Sequence, residues 1–206
     1  MKLLAATRSG GKQPEVRRLL GPVGIEVVFP DDVGLWESPI EETLEVSDSF
    51  QGNARRKAEH FARLSGLPTF ADDSGLEVFA LGGAPGVRSR RWAGAVGTSA
   101  QMDAANNLEL LRRLRGAPEQ KRRARYRCVL VYLGDPDAVP RVFEGTCGGR
   151  ILEEPRGEGG FGYDPLFFSD ELGRTFGEAT PLEKDAVSHR GRALRSLAEA
   201  LGPAER

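Results

Sequence analysis

The first thirty residues constrain this chain most. A short apolar run, Lys2–Ala6, breaks at Thr7-Arg8-Ser9-Gly10-Gly11-Lys12, and Pro14 then precedes Val16, Leu19 and Leu20 at helical spacing. Gly21 ends that stretch, and Ile25–Phe29 is apolar again. Strand, glycine loop, helix and strand in this order are the opening of an α/β protein.

The alternation continues. Phe50, Ala54, Ala58, Phe61 and Ala62 share one helical face that starts after Ser49 and closes at Gly66. Thr69–Ala71 reads as a strand that reaches Asp72-Asp73-Ser74-Gly75 and resumes over Leu76–Leu81. Pro30–Glu45 and Gly82–Gly97 read as long loops, and Ser99 as the cap of a helix with Ala104, Leu108, Leu111 and Leu114 on its face. Arg122–Gly134 and Arg141–Glu153 read as two longer strands joined as a hairpin, and Ser188 begins a last helix buried through Leu194, Leu197, Ala198 and Leu201. The pattern predicts a mixed α/β fold with one central sheet, residues 1–206 forming a single domain. A division into two lobes is permitted but not forced.

Hydrophobic residues make up 39% of the chain, enough for a real core. Lys and Arg number 29 against 30 Asp and Glu, a net charge of −1 that offers no whole-chain grip on nucleic acid or membrane. The two cysteines, Cys128 and Cys147, form no C-x-x-C pair and no disulfide framework. The apolar stretch after Met1-Lys2 is too short for a secretory leader, and no run approaches the ~20 apolar residues of a membrane span, so a cytoplasmic protein is expected.

Four segments carry chemistry. A glycine turn with Lys12 ahead of a helix start suits an anion, through free helix amides and a full positive charge, although a plain turn explains it equally well. It is not a Walker loop, because Ala6 and Gln13 stand where that pattern needs Gly and Ser or Thr. Adjacent Asp72 and Asp73 at a strand end repel, so they call for a cation or a proton, and strand alternation gives them different faces. With Glu45 as a second oxygen ligand, the pair suits Mg²⁺ held together with substrate phosphates; Asp-Ser-Gly is also ordinary turn chemistry. Gly157–Gly162 matches G-x-G-x-x-G, but Pro155 and Pro165 exclude a dinucleotide fold there, leaving a loop that presents Phe161, Tyr163 and Asp164. An aromatic on such a loop can stack on a nucleobase. Lys184 and Ser188-His189-Arg190 offer donors to an electronegative group. The basic run Lys121–Arg125 reads as a solvated strand edge in preference to a nucleic-acid patch.

The ordered set Thr7–Lys12, Ser49-Phe50 with Asn53-Ala54, Ala71–Leu76, Gly83–Gly86, Gly159–Pro165, Lys184 and Ser188–Gly191 resembles the inosine-triphosphatase-like pyrophosphatases of non-standard purine nucleoside triphosphates. The resemblance spans residues 7 to 191. It implies an elongated fold with two lobes around a central nucleotide-binding cleft, a homodimer, and Mg²⁺-dependent hydrolysis of ITP, dITP and XTP to monophosphate and pyrophosphate. Carried over, Thr7, Arg8, Ser9, Gly10, Gly11 and Lys12 would cradle the triphosphate, and Glu45 and Asp73 would bind the metal, with Asp73 as base. Ser74 would touch substrate; Phe161, Gly162, Tyr163 and Asp164 would hold the base, with Lys184, His189 and Arg190 completing the pocket. Donors such as Arg190 would favour a 6-keto purine over adenine. Ser9, Gly52, Val46-Ser47 and Trp92 depart from the family pattern. The competing readings are a triphosphatase of modified pyrimidines and a non-enzymatic RNA binder using Lys121–Arg125.

Overall fold

The computed structural model describes residues 1–202. Seven strands form one mixed sheet: β1 (Lys2–Ala5), β2 (Glu26–Val28), β3 (Thr69–Val78), β4 (Arg123–Leu133), β5 (Arg141–Ile151), β6 (Phe167–Ser169) and β7 (Arg174–Thr175). Their order is β2-β1-β3-β4-β5-β6-β7. β1 pairs parallel with β2 and β3, whereas β6 pairs antiparallel with β5 and β7. Among the described residues, five α-helices accompany the sheet: α1 (Lys12–Leu20), α2 (Phe50–Ser65), α3 (Ser99–Arg113), α4 (Pro181–Val187) and α5 (His189–Leu201). The mixed α/β class expected from the opening residues is therefore the class observed.

Two compact units divide the chain. The first draws on Met1–Asp73, Cys128–Gly145 and the segment from Arg190 onward. Its strands alternate as the two-residue period requires. Leu3, Ala5, Phe70, Cys128 and Leu130 pack with Val16 and Leu20 of α1 and with Leu194 and Leu197 of α5. The residues between them, Leu4, Ala71 and Val131, pack with Ala54, Ala58 and Phe61 of α2. The small α2 face lets that helix lie close to the strands, and Ser49 caps it by accepting from the Gly52 amide.

The second unit comprises Ser74–Arg127 and Thr146–His189. Its core gathers Leu76, Leu110, Leu114, Tyr126, Ile151, Phe167 and Phe176. α3 differs from expectation. Thr98, one residue earlier than Ser99, is the cap, and Leu108 is 69% exposed. Asn106 takes a core place on that helix because its amide is satisfied there, donating to the Ser89 and Arg90 carbonyls and accepting from the Ala93 amide.

Other boundaries moved for local reasons. The long acidic loop holds two short 3₁₀ helices, Pro30–Val33 and Pro39–Leu44, each opened by a proline. Leu76–Leu81 leaves the sheet at Val78 and ends in a short turn of helix. α4, β6 and β7 are short and carry little period.

The Lys121–Arg125 run is not a solvated edge. β4 has a strand on each side, and Arg122 is buried, donating to the carbonyls of Leu114, Ile151 and Leu152 at 2.8–2.9 Å. Its neighbours are paired as well, Arg123 with Asp170 and Arg125 with Glu77. Replacing Arg122 by Met would remove all three bonds, leaving the Leu114 carbonyl with only its bond from the Ala117 amide. We expect a loss of about 2–4 kcal/mol in chemical denaturation. A change near zero would contradict the stapling role.

Candidate active-site residues

Asp72 and Asp73 do not sit in a turn. They lie within the continuous strand β3, and both are nearly buried, at 4% and 7% exposure. Alternation gives them separate surroundings, as expected. Asp72 Oδ2 accepts from Lys12 Nζ at 2.9 Å and from Arg190 Nε at 3.2 Å, and lies 3.8 Å from the Cys128 thiol. Asp73 Oδ2 accepts from Asn53 Nδ2 at 2.9 Å, and its Oδ1 lies 3.8 Å from Lys57 Nζ.

These surroundings push the two carboxyls apart. Burial alone would raise Asp72, but the Lys12 ammonium and the Arg190 guanidinium hold it far below the usual carboxylate range. Burial raises Asp73, and Lys57, Lys12 and the Asn53 bond offset this only in part. Adjacent carboxyls driven in opposite directions are the arrangement in which one stays an anion and the other can exchange a proton.

Lys57 was not singled out from the sequence. It stands one helical turn after Asn53 on α2, so both project from one face toward β3. Its ammonium donates to Glu45 Oε1 at 2.8 Å and to the Asp72 carbonyl at 2.9 Å. Burial lowers its pKa, but Glu45 and Asp73 outweigh that and keep it charged. Glu45 and Asp73 thus share one cation, and this convergence is the test for a metal. Among the described residues no group of three or more His, Cys, Asp or Glu is gathered for one. Two carboxylates around one positive centre suit an ion such as Mg²⁺, whose remaining ligands are water and phosphate oxygens.

The glycine turn lies at the head of α1. No side chain caps that helix at Gly11, Ser9 N donates to Thr7 Oγ1 at 3.2 Å, and the Lys12 ammonium rests on Asp72. Arg8 is braced. Its guanidinium bonds both carboxylate oxygens of Glu41 at 2.8 Å, together with Asp31 and the Leu35 carbonyl. Glu15, which no local sequence pattern marks, is buried and ion-paired with Arg190. Arg190 therefore holds two carboxylates, Asp72 and Glu15, and is 2% exposed.

Gly52, one departure from the family pattern, is crowded by another: a Cβ there would fall 2.2 Å from Ser47 Oγ, so a larger residue would require Ser47 to shift. Ser47 N in turn donates to Asn53 Oδ1, the amide whose other end holds Asp73.

In the second unit the Phe161–Asp164 loop closes on itself. Asp164 Oδ2 accepts from the Phe161 amide at 2.8 Å and from Lys184 Nζ at 2.6 Å. Lys184 Nζ also lies 4.6 Å from the centroid of the half-buried Phe161 ring. Tyr163 is buried, its hydroxyl donating to the Ser89 carbonyl, so Phe161 is the aromatic of this loop with ring surface to offer. His189 stacks on Tyr126 with centroids 4.6 Å apart and planes 6° from parallel. Ser74 is half-buried in β3.

Comparison with known proteins gives the family. The chain is 45% identical to the dITP/XTP pyrophosphatase of Shigella flexneri, over 97% of this chain and 98% of that one. It is 46% identical to the protein of the same name from Thermus thermophilus, over 97% and 91%. Among solved structures, the HAM1 protein of Coxiella burnetii superposes with a TM-score of 0.84 at 36% identity, covering 99% and 100% of the two chains. A nucleoside-triphosphatase, or dITP/XTP pyrophosphatase, from Mycobacterium abscessus gives 0.72 at 43% identity, covering 96% and 98%. The Ham1 family model matches residues 3–200, and the chain belongs to the Ham1 family.

Proposed function

We propose that this chain is a nucleoside-triphosphate pyrophosphatase that hydrolyses ITP, dITP and XTP to the monophosphate and pyrophosphate. The observation that carries this reading is the meeting of Glu45 and Asp73 at one half-buried cation, Lys57, beside a second carboxylate, Asp72, that Lys12 and Arg190 hold well below the usual carboxylate range. Similarity to proteins named dITP/XTP pyrophosphatase supports the substrate class.

Residues 1–206 act as one catalytic domain in this reading. Lys12 and the amides of the Thr7–Lys12 turn take the phosphate chain, with Arg8 bracing the turn through Glu41. Glu45 and Asp73 would hold Mg²⁺, which when bound supplies charge to the phosphate oxygens and a polarised water. Asp73 accepts a proton from the attacking water as its oxygen bonds to the α-phosphorus and the bond to the bridging oxygen breaks. Lys12 and Lys57 stabilise the charge that pyrophosphate carries away. Asp72 keeps Lys12 aimed, and Arg190 keeps Asp72 in place.

Recognition of the base is assigned to the Phe161–Asp164 loop and its neighbours. Phe161 stacks on the base, and Lys184, Asp164, His189 and Ser74 supply the polar edge, with the Gly162–Tyr163 backbone holding the loop in shape. A donor there pairs with a 6-keto oxygen and is left unpaired by adenine, which penalises ATP. The enzyme works as a cytoplasmic homodimer in this reading, with no stable nucleic-acid or membrane partner; among the described residues no helix is long and apolar enough to cross a membrane.

A substrate panel with product identification tests the proposal. ITP and XTP should yield pyrophosphate, ATP little, and modified pyrimidine triphosphates little. Orthophosphate as product, or a pyrimidine preference, would overturn it. Asp73→Asn should lower kcat by about 10²-fold or more at unchanged fold content by circular dichroism. Chelation should abolish turnover, and Glu45→Gln should raise the Mg²⁺ concentration needed for half-maximal rate by roughly tenfold, one lost carboxylate ligand of two.

A further inference from the structure

α3 grips the base-side loop at one residue. Asp103 and Asn107 stand four positions apart, on one face of the helix. Asp103 Oδ2 accepts from the Gly162 amide at 2.8 Å, and Asn107 Nδ2 donates to the Gly162 carbonyl at 2.9 Å. The amide belongs to the peptide plane shared with Phe161, and the carbonyl to the plane shared with Tyr163. One acceptor and one donor from a single helix therefore fix both planes around Gly162.

The central residue suits this. Gly162 has φ +64°, and a Cβ there would meet nothing within 4 Å, so glycine is required for backbone conformation and not for space. Asn107 carries a cost for its place. Among the described residues its Oδ1 is buried without a hydrogen-bond partner. Turning the amide over would set that oxygen against the Gly162 carbonyl, so the orphaned acceptor is retained to keep the donor on the loop.

We propose that Asp103 and Asn107 are positioning residues for purine selection: by locking both peptide planes at Gly162 they aim Phe161 at the base. This rests on the assignment of Phe161 to base stacking. Both side chains act through the loop backbone that they hold.

The test separates base from phosphate binding. Asp103→Ala and Asn107→Asp should each raise KM for ITP about tenfold, the worth of one well-made hydrogen bond. kcat should stay within about threefold, and inhibition by inorganic tripolyphosphate, which has no base, should be unchanged. Asp103→Asn retains an acceptor oxygen and should restore KM. Gly162→Ala, which strains the same backbone with both helix side chains intact, should reproduce the rise in KM. An unaltered KM, an equal weakening of tripolyphosphate, or failure of Asp103→Asn to rescue overturns the positioning role while leaving the wild-type activity as proposed. A wild-type chain inert toward every purine triphosphate overturns the functional reading, and this role with it.

Discussion

Two adjacent carboxylates buried inside one strand are the constraint on which the first unit depends. Left unpaired, such charges would be costly enough to disfavour the strand itself. The chain meets that cost with three cations drawn from separate elements. Lys12 comes from the start of α1, Lys57 from the middle of α2, and Arg190 from the start of α5; Arg8 holds the glycine turn beside them by pairing with Glu41. The sheet's alternation separates the pair, so Asp72 is saturated with positive charge and Asp73 is only partly compensated. A structural demand, neutralising buried carboxylates, thereby sets up a chemical difference between neighbours.

The second unit follows the same logic with one carboxylate. Asp164 is buried and accepts from Lys184, from the Phe161 amide and, at 3.3 Å, from the Tyr126 hydroxyl. The loop that would otherwise be loose around its glycines is tied to α3, to the Ser89 carbonyl and to its own carboxylate. Ring surface at Phe161 is presented by a backbone held at several points, which suits recognition better than a mobile loop does, because less order is lost on binding.

Much of this was legible in the sequence. The opening β-loop-α-β pattern gave the fold class, and the apolar α2 face was read residue for residue, because both depend on local period. Opposite roles for Asp72 and Asp73 followed from strand alternation, though the pair was placed at a strand end when it lies within β3. Lys57 and Glu15 escaped notice because a charged residue on a helix is normally solvated, and nothing local marks one that folds inward. The spacing Asn53–Lys57 was the available signal. Asn106 escaped for the converse reason: a polar residue in a core place is stabilised by carbonyls from a distant loop. The burial of Arg122 is hidden from the sequence for the same cause, its partners lying up to 30 positions away.

The central claim is that neighbouring carboxyls on one strand have been given opposite proton affinities by their partners. Site-resolved carbon NMR titration of the Asp72 and Asp73 carboxyls in the metal-free protein addresses it directly. As pH falls, Asp73 should take up its proton first, above the ordinary aspartate range, while Asp72 stays ionised for as long as the protein remains folded. Titration of both together in the ordinary range, or of Asp72 before Asp73, would contradict the account.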